Sequence, residues 1–207
     1  MITLYEFALS GNCHKIRLLL SFLKLEYKSY MINGSEREHK SAEFLALNSF
    51  GQVPVLIDGE IVIRDSQAIL VYLARTYGGS QWFPIDNTLA LTQITAWFSV
   101  AANEITRGPN ALRLHHKFGR DINVDDATKI TAHLLNVLNT HLSEHEWLVT
   151  TKITIADLAL YPYLALANEG HVDISLYPAI EKWFTRIEAL PGYKSMPGIR
   201  VHTSVVN

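Results

Sequence analysis

Two regimes of hydrophobic and polar spacing divide this 207-residue chain. The first is mixed. Residues 2–7, ITLYEF, are β-branched and aromatic and read as a strand. From Cys13 to Lys24, Ile16, Leu19, Leu20 and Leu23 recur at helical spacing. YKSYMI (27–32) reads as a second strand, and AEFLAL (42–47) as a short helix after the polar loop NGSEREHKS. In VPVLIDGEIVIRDS, two apolar runs flank Asp58-Gly59, the signature of a type I′ hairpin. SQAILVYLARTYG then reads as a helix stopped by Gly78-Gly79.

The resulting order is β-α-β-α-β-β-α. Strands one and two need a right-handed helical crossover, while three and four pair antiparallel. Residues 1–79 are therefore expected to form an α/β domain of the thioredoxin-like kind. SQWFPIDN (80–87) reads as a linker carrying an aromatic plug. Beyond it the strand signals fade. Helical periodicity returns over 88–118, 125–143, 154–169 and 176–190, with breaks at Gly119, near Trp147, at Gly170 and at Pro191. TIAD (Thr154 to Asp157) is a variant of the capping box. Residues 88–207 are expected to form an all-α domain.

Composition narrows the class. Apolar residues make up 48% and charged residues 18%, and the net charge is −2. Without a basic tract or basic–aromatic interleaving, the electrostatic footprint of a nucleic-acid binder is missing. The N-terminus has neither a basic start nor a long apolar core, as a signal peptide requires. No apolar run approaches the ~20 residues that cross a bilayer. One cysteine, Cys13, fits a reducing compartment. A cytoplasmic protein is the expectation.

Certain motifs have chemistry of their own. Ser66, following Asp65, falls in the first turn of a helix, where free amides and the positive dipole end favour a carboxylate. Asp65 also suits a plain helix cap. Pro54, in Gln52-Val53-Pro54, stands at a position open to either proline isomer. Asn12 directly precedes the first helix and suits its N-cap, while Cys13 shares the apolar face of Ile16 and Leu20. Ser99, Asn103 and Arg107 recur every four residues as a polar stripe on one helix. His141 and His145 have two-ligand metal spacing without an evident third ligand, and His115-His116 shares that weakness, so no metal site is expected.

The motifs LSGNCHKIR, EHKSAEFLALNSFGQVPVL, IRDSQAIL, TIADLALYPY and LYPAIEKWFTRIEALPGY resemble those of the cytosolic glutathione transferases, in order and spacing, across essentially the whole chain. The likeness is nearest to the serine-type members, phi-like or theta-like, bacterial and plant. It implies a homodimer that binds glutathione as co-substrate and conjugates it to a small electrophile. It implies that Asp65 holds the γ-glutamyl ammonium and Ser66 its carboxylate. A cis Pro54 would let the Val53 backbone pair with the cysteinyl unit, and Lys40, with His39 and Gln52, would meet the glycyl carboxylate. Ser10 stands where serine-type transferases carry the hydroxyl that holds the thiolate, with Asn12 as the second candidate. Asn103 and Arg107 would face the electrophile. Two alternatives stand beside this. One is another glutathione-dependent enzyme on the same scaffold: an isomerase, peroxidase or disulfide reductase. The other is a non-catalytic binding protein. Asn12 stands where zeta-like isomerases carry a cysteine, which weakens the isomerase case.

Overall fold

The structure, a computed structural model, describes residues 1–200. The end of the expected helical domain, 201–207, lies outside the described residues. The N-terminal part runs β1 (Ile2–Glu6), α1 (Gly11–Phe22), β2 (Tyr27–Met31), α2 (Ala42–Leu47), β3 (Val55–Asp58), β4 (Ile61–Arg64) and α3 (Ser66–Leu73). The sheet order is β2-β1-β3-β4, with β1 parallel to β2 and the other pairs antiparallel. This is the mixed thioredoxin-like sheet. The rest is helical: α4 (Thr88–Ala102), α5 (Glu104–Arg107), α6 (Pro109–Phe118), α7 (Val124–Glu144), α8 (Ile155–Ala165) and α9 (Pro178–Glu188).

Helix α8 is the hub. Every residue from Ile155 to Ala165 is buried, as befits a helix apolar on all sides. It packs on α1 and α3 of the sheet domain and on α4 of its own, so one apolar core runs through both halves. Its start is the capping box: Asp157 accepts from the Thr154 amide at 2.9 Å, the Leu148 amide at 3.1 Å and the Trp183 indole at 3.0 Å. Trp82, between the two halves, is buried against Phe22 with the rings stacked 5.7 Å apart.

Three local expectations are corrected. Helix α1 begins at Gly11, and its cap is Ser10, whose hydroxyl oxygen accepts from the Cys13 amide at 3.2 Å. Asn12 is thus inside the first turn rather than before it. The hairpin turn is Gly59-Glu60, because Asp58 pairs with Ile61. Only Gly59 takes a positive φ, 59°, so the type I′ geometry is not formed. Finally, 88–118 is three helices, not one. Gly108 comes so close to the Glu104 carbonyl and the Thr131 hydroxyl that an added Cβ would lie 2.8 and 2.9 Å from them. Pro109 then opens α6 in a new direction, at the position where a proline's missing amide costs nothing.

Candidate active site

Two helix N-termini meet at the edge of the sheet. Helix α1 starts after the loop 7–10 and α3 after β4, and Asn12 and Ser66 face each other across the gap. The Ser66 hydroxyl donates to Asn12 Oδ1 at 3.4 Å and to Gln67 Oε1 at 2.7 Å. Both dipoles therefore direct positive potential into one small recess. That recess is lined by Asn12, Asn48, Gln52, Val53, Pro54, Arg64, Asp65 and Ser66. Five residues singled out in the sequence (Gln52, Val53, Pro54, Asp65 and Ser66) thus come together with Asn12.

Each wall has a local cause. Asp65 caps α3, its Oδ1 accepting from the amides of Gln67 and Ala68 at 2.9 and 3.1 Å. Its φ of 74° is a strained conformation for a side chain, of a kind that clusters at functional sites. The plain cap and a ligand role are compatible, since both amide bonds fall on one carboxylate oxygen. The Val53-Pro54 bond is cis. Buried Asn48 shapes the preceding loop, donating to the Gln52 carbonyl at 2.7 Å and accepting from the Phe50 amide at 3.1 Å. Lys40 fastens the same loop from the other side, donating to the carbonyls of Phe50 and Gly51 at 3.1 and 2.9 Å. Its ammonium is engaged there and does not line the recess.

Next to the recess opens a larger cavity of about 720 Å³, lined by Phe7, Ala8, Leu9, Ser10, Gly34, His39, Asn110, Arg113, Leu114, Phe118, Arg120 and Tyr163. Ser10 and Asn12, two residues apart, lie one in each. The loop presenting Ser10 is clamped from beneath. Buried Glu6 pairs with Arg17 and accepts from Ser29 at 2.6 Å, while Arg17 also donates to the Ala8 carbonyl at 3.1 Å. From the other half, Arg113 donates to the Leu9 carbonyl at 3.0 Å and to Glu169 at 2.6 Å. The loop is thus held by both domains.

Asn103 and Arg107 do not reach this cavity. Asn103 ends α4 and Arg107 ends α5; both are exposed, and Arg107 pairs with Asp126 at 3.4 Å. The expected stripe assumed one continuous helix, but the chain breaks at Asn103, between α4 and α5, so Arg107 lies on a separate helix. The helical wall comes instead from α6 and from Tyr163 of α8. The Gly-Pro pair is the signal that could have found it. Tyr163 packs against Gly11 so closely that an added Cβ there would lie 2.8 Å from its ring. Burial raises the Tyr163 phenol above its ordinary range, against the opposing pull of the Asn12 amide, the Arg113 charge and the Ser10 hydroxyl. His39 sits against Phe7, rings edge to face at 5.4 Å, and burial lowers its pKa.

Cys13 is fully buried, and burial pushes its thiol up to about 11. It faces the core, not the cavity, and is held as the inert thiol. The two paired-histidine motifs serve other contacts: His141 bonds the Leu148 carbonyl and stacks on His145, and His116 stacks on His171. Among the described residues no group of three or more His, Cys, Asp or Glu side chains could hold a metal ion. No helix there is long and apolar enough to cross a membrane.

Known proteins share this arrangement. Residues 1–75 match the glutathione S-transferase N-terminal domain, and residues 108–191 match the glutathione S-transferase C-terminal domain. The crystal structure of a glutathione S-transferase from Xanthobacter autotrophicus superposes with a TM-score of 0.87 at 30% identity, covering 96% of this chain and 98% of that one. Glutathione S-transferase 3 of Zea mays is 28% identical over 205 residues, 93% of this chain and 91% of its own. A disulfide-bond oxidoreductase of Escherichia coli is 29% identical over 200 residues, 92% of each. With both domains matched and the fold shared end to end with a solved relative, the chain belongs to the glutathione S-transferase family.

Proposed function

We propose that this protein is a glutathione transferase in which the recess between α1 and α3 binds the tripeptide and the adjoining cavity takes the electrophile. The observation that carries this reading is the junction of two helix N-termini at Asn12 and Ser66, opening onto a cavity at Ser10. Asp65 keeps one carboxylate oxygen for the γ-glutamyl ammonium, and Ser66, at the positive end of α3, takes the carboxylate through its own amide and hydroxyl. The Val53 backbone pairs with the cysteinyl unit in the manner of an added strand. Gln52, which lines the recess, takes the glycyl carboxylate, with His39 approaching it from the adjoining cavity.

The chemistry is to hold sulfur as thiolate. A free thiol titrates near ~8.5, and a hydrogen bond to the anion lowers that value. Ser10 accepts from the Cys13 amide, so its own O–H proton remains to be donated. Asn12 accepts from Ser66 through Oδ1, which leaves its amide N–H groups. Both are donors at a positive helix end, and Ser10, opening on the cavity, is the principal one. With an aryl halide, the thiol proton passes to water, sulfur bonds to carbon, and halide leaves. Asp65→Ala is expected to weaken glutathione binding by roughly tenfold or more, the loss of one charged hydrogen bond. Titration calorimetry checks this; unchanged affinity would remove the assigned γ-glutamyl site.

We further propose a cytoplasmic homodimer of the serine-type, phi-like or theta-like subgroup, with the domains divided at 79 and 88. The exposed Phe50, Ile61, Val62 and Leu89 support a subunit interface, and the lone buried cysteine supports a reducing compartment. Disulfide reduction, the activity in the name of the Escherichia coli relative, would require a second glutathione here, since Cys13 is sealed off.

A further inference from the structure

The larger cavity has a one-sided charge. Its lining holds two arginines and a histidine but neither aspartate nor glutamate, set among the apolar walls of Phe7, Leu114, Phe118 and Tyr163. Its two arginines differ in kind. Arg113 is buried, paired with Glu169, bonded to the Leu9 carbonyl and packed 5.3 Å over the Phe118 ring. Its charge is committed to the fold. Glu169 must also serve Lys117, so one carboxylate faces two cations. Arg120 adds a third positive charge to this side of the cavity.

Arg120 is exposed and takes part in none of the ion pairs among the described residues. Its backbone is nevertheless fixed. Gly119 turns into the left-handed region with φ 67°, the Arg120 amide donates to the Leu114 carbonyl at 3.1 Å, and the Arg120 carbonyl meets His115 Nδ1 at 2.8 Å. A guanidinium on an anchored turn, at the rim of an apolar cavity with net positive surroundings, is built to receive a carboxylate in two parallel hydrogen bonds.

Resting on the transferase reading of this site, we infer that the second substrate is an apolar or aromatic electrophile bearing a carboxylate, which Arg120 receives. The apolar body lies among the aromatic walls and the acid group points to the rim. The electrophilic carbon is then left towards Ser10.

Conjugates isolate this from turnover. S-(4-carboxybenzyl)glutathione and S-(4-carbamoylbenzyl)glutathione differ in charge and little in shape. Calorimetry is run on the wild type, Arg120→Gln and the surface control Arg107→Gln; the wild type should bind the acid about tenfold more tightly than the amide, the gap narrowing with salt. Arg120→Gln should abolish the preference and Arg107→Gln should keep it. Equal affinities in the wild type would overturn the inference, as would a preference that survives Arg120→Gln. If glutathione still binds in those cases, the transferase site stands and only the substrate class falls. If neither conjugate nor glutathione binds, both fall together.

Discussion

Ser10, Asn12, Cys13 and His14 occupy barely one helical turn, yet burial gives them different work. Ser10 caps α1 and opens on the cavity; Asn12 turns towards Ser66; Cys13 and His14 enter the core. Cys13 on the apolar face was legible from its spacing. The cap was not, because serine and asparagine both suit that position and the choice depends on where Arg17 and Arg113 tie the preceding loop. His14 carries a testable cost. Both ring nitrogens are buried without a partner, and burial lowers its pKa from 6.5 to about 3, with the nearby Arg17 charge adding to the effect. Between those values the unfolded chain holds a proton there that the folded chain does not, so stability falls as pH falls through that window. A group fully inside it costs about 1.4 kcal/mol per pH unit. Urea unfolding between pH 6.5 and 4.5 should show a shallower loss for His14→Phe than for the wild type. Parallel slopes would contradict the buried neutral imidazole.

Among the elements, the strands, α2 and α8 follow their local patterns closely, because apolar period and capping chemistry agree there. The helical expectation over 88–118 failed for an equally local reason. The Gly108-Pro109 pair lies inside a run of good helix formers, and a side chain at 108 would meet the Glu104 carbonyl first and the Thr131 hydroxyl of α7 next. The break at Asn103 separates Arg107 from α4, and the turn at Gly108-Pro109 sends α6 to the cleft, so Asn110 and Arg113 line the cavity in place of Asn103 and Arg107. The start of α8 is fixed by its capping box. Asp157→Ala would leave the Leu148 amide, the Thr154 amide and the Trp183 indole without their acceptor in the core. The expected loss is roughly 3 kcal/mol or more, from several buried donors left unpaired. Urea midpoints measure it, and a loss under about 1 kcal/mol would show the box to be dispensable.

At the scale of the molecule, the site exists because two domains share one core. The residues of the recess proposed for the tripeptide were legible as motifs, since Gln52, Val53, Pro54, Asp65 and Ser66 lie on one domain and in recognisable strings. Most of the larger cavity was not legible, because its helical wall of Asn110, Arg113, Phe118, Arg120 and Tyr163 is assembled by packing between halves. Its sheet-domain wall is the loop after β1, Phe7 to Ser10. Arg113 joins the two by bonding the Leu9 carbonyl, so the loop presenting Ser10 depends on the helical domain for its shape. The proposed chemistry turns on one property, a glutathione sulfur held as thiolate by Ser10 at the start of α1. Ultraviolet thiolate absorbance of bound glutathione, followed against pH, measures it directly. The wild type should titrate well below the free thiol's ~8.5, and Ser10→Ala should raise that midpoint by about one unit, with a smaller rise for Asn12→Ala. A midpoint near the free value in the wild type, or one indifferent to Ser10→Ala, would contradict it.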